Sequence, residues 1–162
     1  MERLAGTGYR AAIVGPEGSG KTTLLEDLEP RLAGLGFTVR WARLHLGERR
    51  LERQQAKALL SDLTPRDIIL FDGADHLSWL SWAGVQRRSM SEGGLVITSH
   101  REGMLPTLVR TSTSAELLGE MVNVMLRGRQ LEIDGGIEGL LARHGGNLRN
   151  AMSELYHRFA EM

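Results

Sequence analysis

The chain has 162 residues, no cysteine and a formal net charge of zero, a length that suits one compact α/β domain with at most a small appendage. The missing cysteines exclude disulfides, thiolate metal sites and cysteine nucleophiles, and the balanced charge excludes an overall field drawing the protein to nucleic acid. No apolar run approaches the ~20 residues of a membrane span and no secretory leader pattern opens the chain, so a cytoplasmic protein without a membrane partner is expected.

The first apolar run, 10–15, ends in Gly15-Pro16-Glu17-Gly18-Ser19-Gly20-Lys21-Thr22, a complete G-x-x-x-x-G-K-[ST] phosphate-binding loop. A helix-competent stretch, 22–34, follows it, giving the strand, loop and helix order the motif requires. Gly15, Gly18 and Gly20 let the backbone turn its N–H groups inward, where they can wrap a β-phosphate at the positive end of the helix. Lys21 is placed to reach the β- and γ-phosphates as a point charge. The Thr22 hydroxyl is placed to ligate Mg²⁺, and Thr23 to reach the α-phosphate. These residues together predict a site for ATP with Mg²⁺.

Further strands are predicted at 38–44, 67–72, 95–99 and 108–110, with helices at about 48–62 and 75–91, the alternation of a parallel-sheet protein. The third strand reads Ile68-Ile69-Leu70-Phe71-Asp72, like a Walker B strand, and delivers one carboxylate, Asp72, beside the Mg²⁺ expected at Thr22. Asp75, three residues on, is a candidate base for activating water, or else the cap of the next helix; Glu17 is a weaker candidate base. The strand at 95–99 ends in Thr98-Ser99-His100, any of which can hold an attacking water, with Ser99 and His100 favoured. Beyond Ser114 only helices are predicted: 115–125, 134–143 and a last amphipathic one capped by Asn147. The division is therefore 1–112 as the nucleotide-binding domain and 113–162 as a small helical lid.

Taken in order, these motifs resemble a compact AAA+ ATPase. The run LVITSHREGMLPTLVRTSTSAELLGEMV is similar to the AAA+ stretch from sensor 1 into the lid, and LLARHGGNLRNAMSELY is similar to its sensor 2 helix. The resemblance implies a P-loop NTPase fold, a parallel sheet flanked by helices with a C-terminal helical lid. It also implies that Arg149 is the sensor 2 residue reaching the γ-phosphate, and that Arg101 or Arg110 is an arginine finger supplied to a neighbouring subunit of a homo-oligomer or partner. The chain departs from the family pattern at Gly73, which stands where a catalytic glutamate follows the Walker B aspartate, and in its short lid.

The expected function is an ATP-hydrolysing switch or motor subunit whose turnover is slow or partner-dependent. The alternatives are a small nucleotide kinase, because GPEGSGKTT also resembles thymidylate-kinase-type loops, and a nucleotide-binding module without catalysis. An ABC-type ATPase lacks its LSGGQ-like signature in 44–67. The arginine-rich stretch 40–53, with Trp41, is compatible with nucleic-acid contact, but Glu48 and Glu52 among its cations fit a solvated, salt-bridged face better.

Overall fold

A computed structural model of the protein describes residues 1–45, 47–91, 93–127 and 132–160. Five strands form one all-parallel sheet: β1 (Arg10–Val14), β2 (Thr38–Arg43), β3 (Asp67–Asp72), β4 (Gly94–Ser99) and β5 (Thr107–Arg110), in the spatial order β2-β3-β4-β1-β5. Because β3 and β4 are buried on both faces, they are continuous apolar runs rather than alternating ones. Successive side chains still part to opposite sides. Ala11, Ile13, Ile68, Leu70 and Val96 pack with Leu4, Leu25 and Leu32 of α1 (Glu2–Gly6) and α2 (Lys21–Gly34). Ala12, Val14, Ile69, Phe71, Leu95 and Ile97 pack instead with Leu59 of α3 (Arg53–Leu60) and Val85 of α4 (Trp79–Ser91). The sheet is thus covered by helices on both faces. Phe71, fully buried, would cost about 3–5 kcal/mol if cut back to alanine.

In the first part of the chain, two predicted helices are shorter than their sequence pattern. The one expected from 48 begins only at Arg53, because the preceding backbone bonds elsewhere: the His45 N–H donates to the Glu48 carboxylate at 2.7 Å, and the Arg49 carbonyl accepts from the Ser78 N–H at 2.9 Å. The one expected from 75 begins at Trp79, after a 3₁₀ turn at Ala74–His76 and an extended Leu77. Ser78, not Asp75, supplies its first-turn bond, accepting from the Ser81 N–H at 3.3 Å. Helix α1 is too short to show a periodicity, so the sequence pattern does not predict it.

Arg40 locks the edge of the sheet. Its guanidinium bonds the Asp67 carboxylate at 2.8 Å and donates to the carbonyls of Ala58, Ser61 and Asp62, which the end of α3 leaves unpaired. Burial, the largest single influence on Asp67, pushes its carboxyl up. Hydrogen bonds from Thr64 and Arg40, with the Arg40 charge, outweigh it and hold the group below the usual carboxylate range.

The chain divides into two compact units, one of Met1–Gly15 with Lys21–Arg110, the other of Pro16–Gly20 with Thr111–Met162. In the second, α5 (Ala115–Leu126), α6 (Gly136–Arg143) and α7 (Leu148–Ala160) enclose their own core of Leu118, Val122, Leu140, Ala151 and Leu155. Ser114 caps α5 as predicted, accepting from the Leu117 N–H at 3.1 Å. Helix α6 starts at Gly136 rather than 134, behind a left-handed Gly135. No helix among the described residues is long and apolar enough to cross a membrane.

Candidate functional site

The strand order decides what can meet in the sheet unit. With β4 lying between β1 and β3, the end of β4 stands between the start of the phosphate loop and the end of the Walker B-like strand. Register pairs Val14 with Ser99 and Phe71 with Ile97, which levels Asp72 with Thr98. The Thr98 hydroxyl donates to Asp72 Oδ1 at 2.6 Å and accepts from the Gly73 N–H at 2.8 Å. The other carboxylate oxygen, Oδ2, accepts from the Thr22 hydroxyl at 2.9 Å and lies 3.4 Å from Arg43 Nε. Lys21 is buried, with Nζ donating to the Gly15 carbonyl at 2.8 Å. Thr22 and Asp72 therefore bring two hard oxygen donors side by side, the donor chemistry that Mg²⁺ prefers. Thr23 is exposed on the first turn of α2.

Gly73 adopts the left-handed region, φ 77 and ψ 33. A Cβ there would lie 2.7 Å from the Leu44 carbonyl oxygen and 3.0 Å from the His76 ring. The backbone thus has no room for the glutamate that the AAA+ pattern puts at this position. Asp75 instead turns to the end of β4: its Oδ2 accepts from the His100 backbone N–H at 3.1 Å and lies 2.9 Å from His100 Nδ1. Burial is the largest influence on Asp75 and pushes it up, but the His100 hydrogen bonds and charge prevail and hold the carboxyl below its ordinary range. An ionised Asp75 can only accept, so a neutral His100 carries its proton on Nδ1 and turns a free Nε2 lone pair outward.

The two favoured residues of the sensing strand differ in setting. His100 is exposed beside Asp75, whereas Ser99 is fully buried, its hydroxyl donating to the Arg101 carbonyl at 2.7 Å and accepting from the Arg101 N–H at 2.9 Å. Of these neighbours it is Thr98 that touches Asp72. Arg101 and Arg110 are both exposed, and Arg110 is ion-paired with Glu102.

Residues 16–20 belong with the C-terminal helices. Gly18 and Gly20 both have positive φ, 70 and 84. A Cβ on Gly18 would collide with the Asn147 side chain, while one on Gly20 would meet nothing within 4 Å. The Ser19 hydroxyl donates to the Pro16 carbonyl at 2.7 Å and shares a 2.6 Å hydrogen bond with Thr111. Pro16 and Glu17 are exposed. Asn147 Oδ1 accepts from the Asn150 N–H at 3.1 Å, capping the helix that carries exposed Arg149. Asn147 caps this helix as predicted, but its place against Gly18 and that of Arg43 beside Asp72 carry no sequence signal, and only the packed structure could reveal them.

No protein-family model matches the sequence, and a search of the curated proteins finds no match. Solved structures do resemble the fold. The Thermotoga maritima RuvB Holliday junction branch migration motor superposes with a TM-score of 0.58 at 19% identity, covering 93% of this chain and 54% of that one. One mutant form of the same RuvB gives a TM-score of 0.61 at 16% identity, covering 94% and 58%. Another gives 0.59 at 18% identity, with 93% and 55% covered. The chain thus spans a little over half the length of the structures it matches. The likeness shows that the chain has a P-loop NTPase fold, a parallel sheet flanked by helices.

Proposed function

We propose that the chain binds ATP with Mg²⁺ and hydrolyses it slowly, or under the control of a partner, as an AAA+-like switch or motor subunit. The observation that carries this reading is the chain of contacts Thr22–Asp72–Thr98, which joins the phosphate loop, the Walker B-like carboxylate and the sensing strand. On this reading the N–H groups and glycines of residues 15–20 hold the phosphates, and Lys21 exchanges the Gly15 carbonyl for phosphate oxygens. Thr22 and Asp72 would hold Mg²⁺, which would supply positive charge to neutralise the phosphate oxygens. Thr98 reports on Asp72, and Ser99 holds the turn that carries His100. Asp75 fixes the His100 tautomer so that Nε2 can take the proton of an attacking water. Arg149, on the helical lid of 113–162, contacts the γ-phosphate and couples nucleotide state to the lid. Arg101, exposed and without an ion pair among the described residues, is the better finger for a neighbouring subunit, since Arg110 is held by Glu102.

The glycine at 73 supports slow turnover, because proton removal then rests on a histidine exposed to solvent. An ATPase assay across protein concentration tests the proposal, with AMP, dTMP and DNA added in turn. A Mg²⁺-dependent rate per subunit that rises with concentration, and that falls on Arg149→Ala, is expected. Consumption of a monophosphate would instead establish a kinase, and binding without turnover under any condition a non-catalytic module. Stimulation by DNA would identify a nucleic-acid partner. In the arginine-rich stretch Arg40 is consumed by Asp67, and Arg43 by Glu26 and Asp72, so it contributes fewer free cations to such a partner than its composition suggests.

A further inference from the structure

We infer that Asp75, His76 and His100 form a binding site for a divalent transition-metal ion of the zinc class. One ligand atom from each of the three lies within 4.8 Å of the others. The set is two imidazole nitrogens and one carboxylate oxygen, the donor combination that borderline ions such as Zn²⁺ take in sites with an open coordination position. Hard Mg²⁺ prefers an all-oxygen site such as Thr22 with Asp72.

The second observation is on Asp75 itself. Its side chain is 7% exposed, and of its two oxygens only Oδ2 is satisfied, by the His100 N–H and ring. Oδ1 is buried without a hydrogen-bond partner. A buried carboxylate oxygen left unpaired is costly, and a cation bound through it removes that cost. The His76 and His100 rings stand face to tilted face, with centroids 5.9 Å apart. Metal–ligand bonds of about 2.0–2.2 Å set ligand atoms roughly 3.4 Å apart in a tetrahedron. Because the three ligand atoms already lie within 4.8 Å of one another, at most an ångström or so of closure separates them from that geometry. His100, 38% exposed, leaves the ion an open side toward solvent.

Position gives the site a consequence. Asp75 and His76 lie on the 3₁₀ turn that follows Asp72, and His100 follows Thr98 and Ser99 at the end of β4. A bound ion staples these two segments together. It also occupies the Asp75–His100 pair, so metal loading and water activation by that pair exclude each other. The binding itself does not depend on the nucleotide reading.

The test is Zn²⁺ titration of the full chain against a chromophoric chelator, without nucleotide or Mg²⁺. One ion per chain is expected, with affinity falling at least about tenfold in His76→Ala. Co²⁺ should give visible d–d bands in the wild type that vanish in the same variant. His100→Ala, truncating an exposed ring, should show the same loss and serves if His76→Ala fails to fold by circular dichroism. His144→Gln, at the separate His144–Glu154 pair, should bind as the wild type does. Absence of wild-type binding, or equal affinity in His76→Ala and His100→Ala to that of the wild type, overturns the site. Neither result bears on ATP binding, which is measured separately.

Discussion

Replacing Gly73 by alanine should weaken the sheet unit well beyond the effect of an added methyl group. The residue sits at φ 77, where a non-glycine side chain costs about 1–2 kcal/mol. Its Cβ would come within 2.7 Å of the Leu44 carbonyl oxygen, a backbone atom held by the N–H that Leu44 itself donates to the Asp72 carbonyl at 3.0 Å. Relief of such a clash costs about 1–3 kcal/mol, so the total is about 2–5 kcal/mol. For a chain of this size each kcal/mol moves the melting temperature by about 2–4 °C. The assay is urea unfolding followed by tryptophan fluorescence. Trp41, Trp79 and Trp82, the chain's three tryptophans, all lie in the sheet unit, so the signal reports the unit that carries Gly73. Gly73→Glu, which installs the glutamate of the AAA+ pattern, should be at least as destabilising and should not raise hydrolysis. A Gly73→Ala variant within about 0.5 kcal/mol of the wild type would refute both the left-handed turn and the exclusion of a glutamate there by the fold.

Thr98→Val removes the hydroxyl shared by Asp72 and the Gly73 N–H; we expect a stability loss of about 2 kcal/mol and at least a ~10-fold fall in Mg²⁺-dependent turnover. Ser99→Ala should cost about 1 kcal/mol of stability with a much smaller effect on turnover, and an equal loss of turnover in the two variants would contradict the assignment. Asp67 gives the pH dependence. Its carboxyl is held lower in the folded than in the unfolded chain, so its contribution is present above the unfolded value of about 3.9 and is lost as pH falls through the folded value. Asp67→Asn should therefore lose about 2–3 kcal/mol at neutral pH, the lower end for a broken pair because Arg40 is partly exposed, and should show a flatter stability profile below pH ~4. A profile as steep as that of the wild type would assign the acid sensitivity to another group.

Much of the site could be read from the chain because parallel strands and phosphate loops leave strong local signals. Ile68 to Phe71 is continuously apolar because both its faces are covered, and Gly18 and Gly20 stand where the loop requires positive φ. What could not be read depends on register and on contacts between distant segments. Period-two alternation separates Thr98 from Ser99 but does not say which one faces Asp72; the pairing of Phe71 with Ile97 does. The sequence shows Gly73 as a departure from a family pattern, yet its cause is the Leu44 carbonyl on the neighbouring strand's exit. The helical periodicity of 48–62 could not anticipate that Arg49 gives its carbonyl to Ser78. Likewise, Asp75 and His76 are adjacent in sequence, but their meeting with His100 exists only because β3 and β4 are neighbours.

Every role proposed for the nucleotide site requires the loop at 15–22 to hold a triphosphate. Equilibrium binding of a fluorescent ATP analogue in Mg²⁺, to the wild type and to Lys21→Ala, tests this most directly. Saturable wild-type binding that competes with ATP and weakens about 10- to 100-fold on loss of the Lys21 charge is the predicted result. Binding that is absent in the wild type, or of equal affinity in the two proteins, would contradict it.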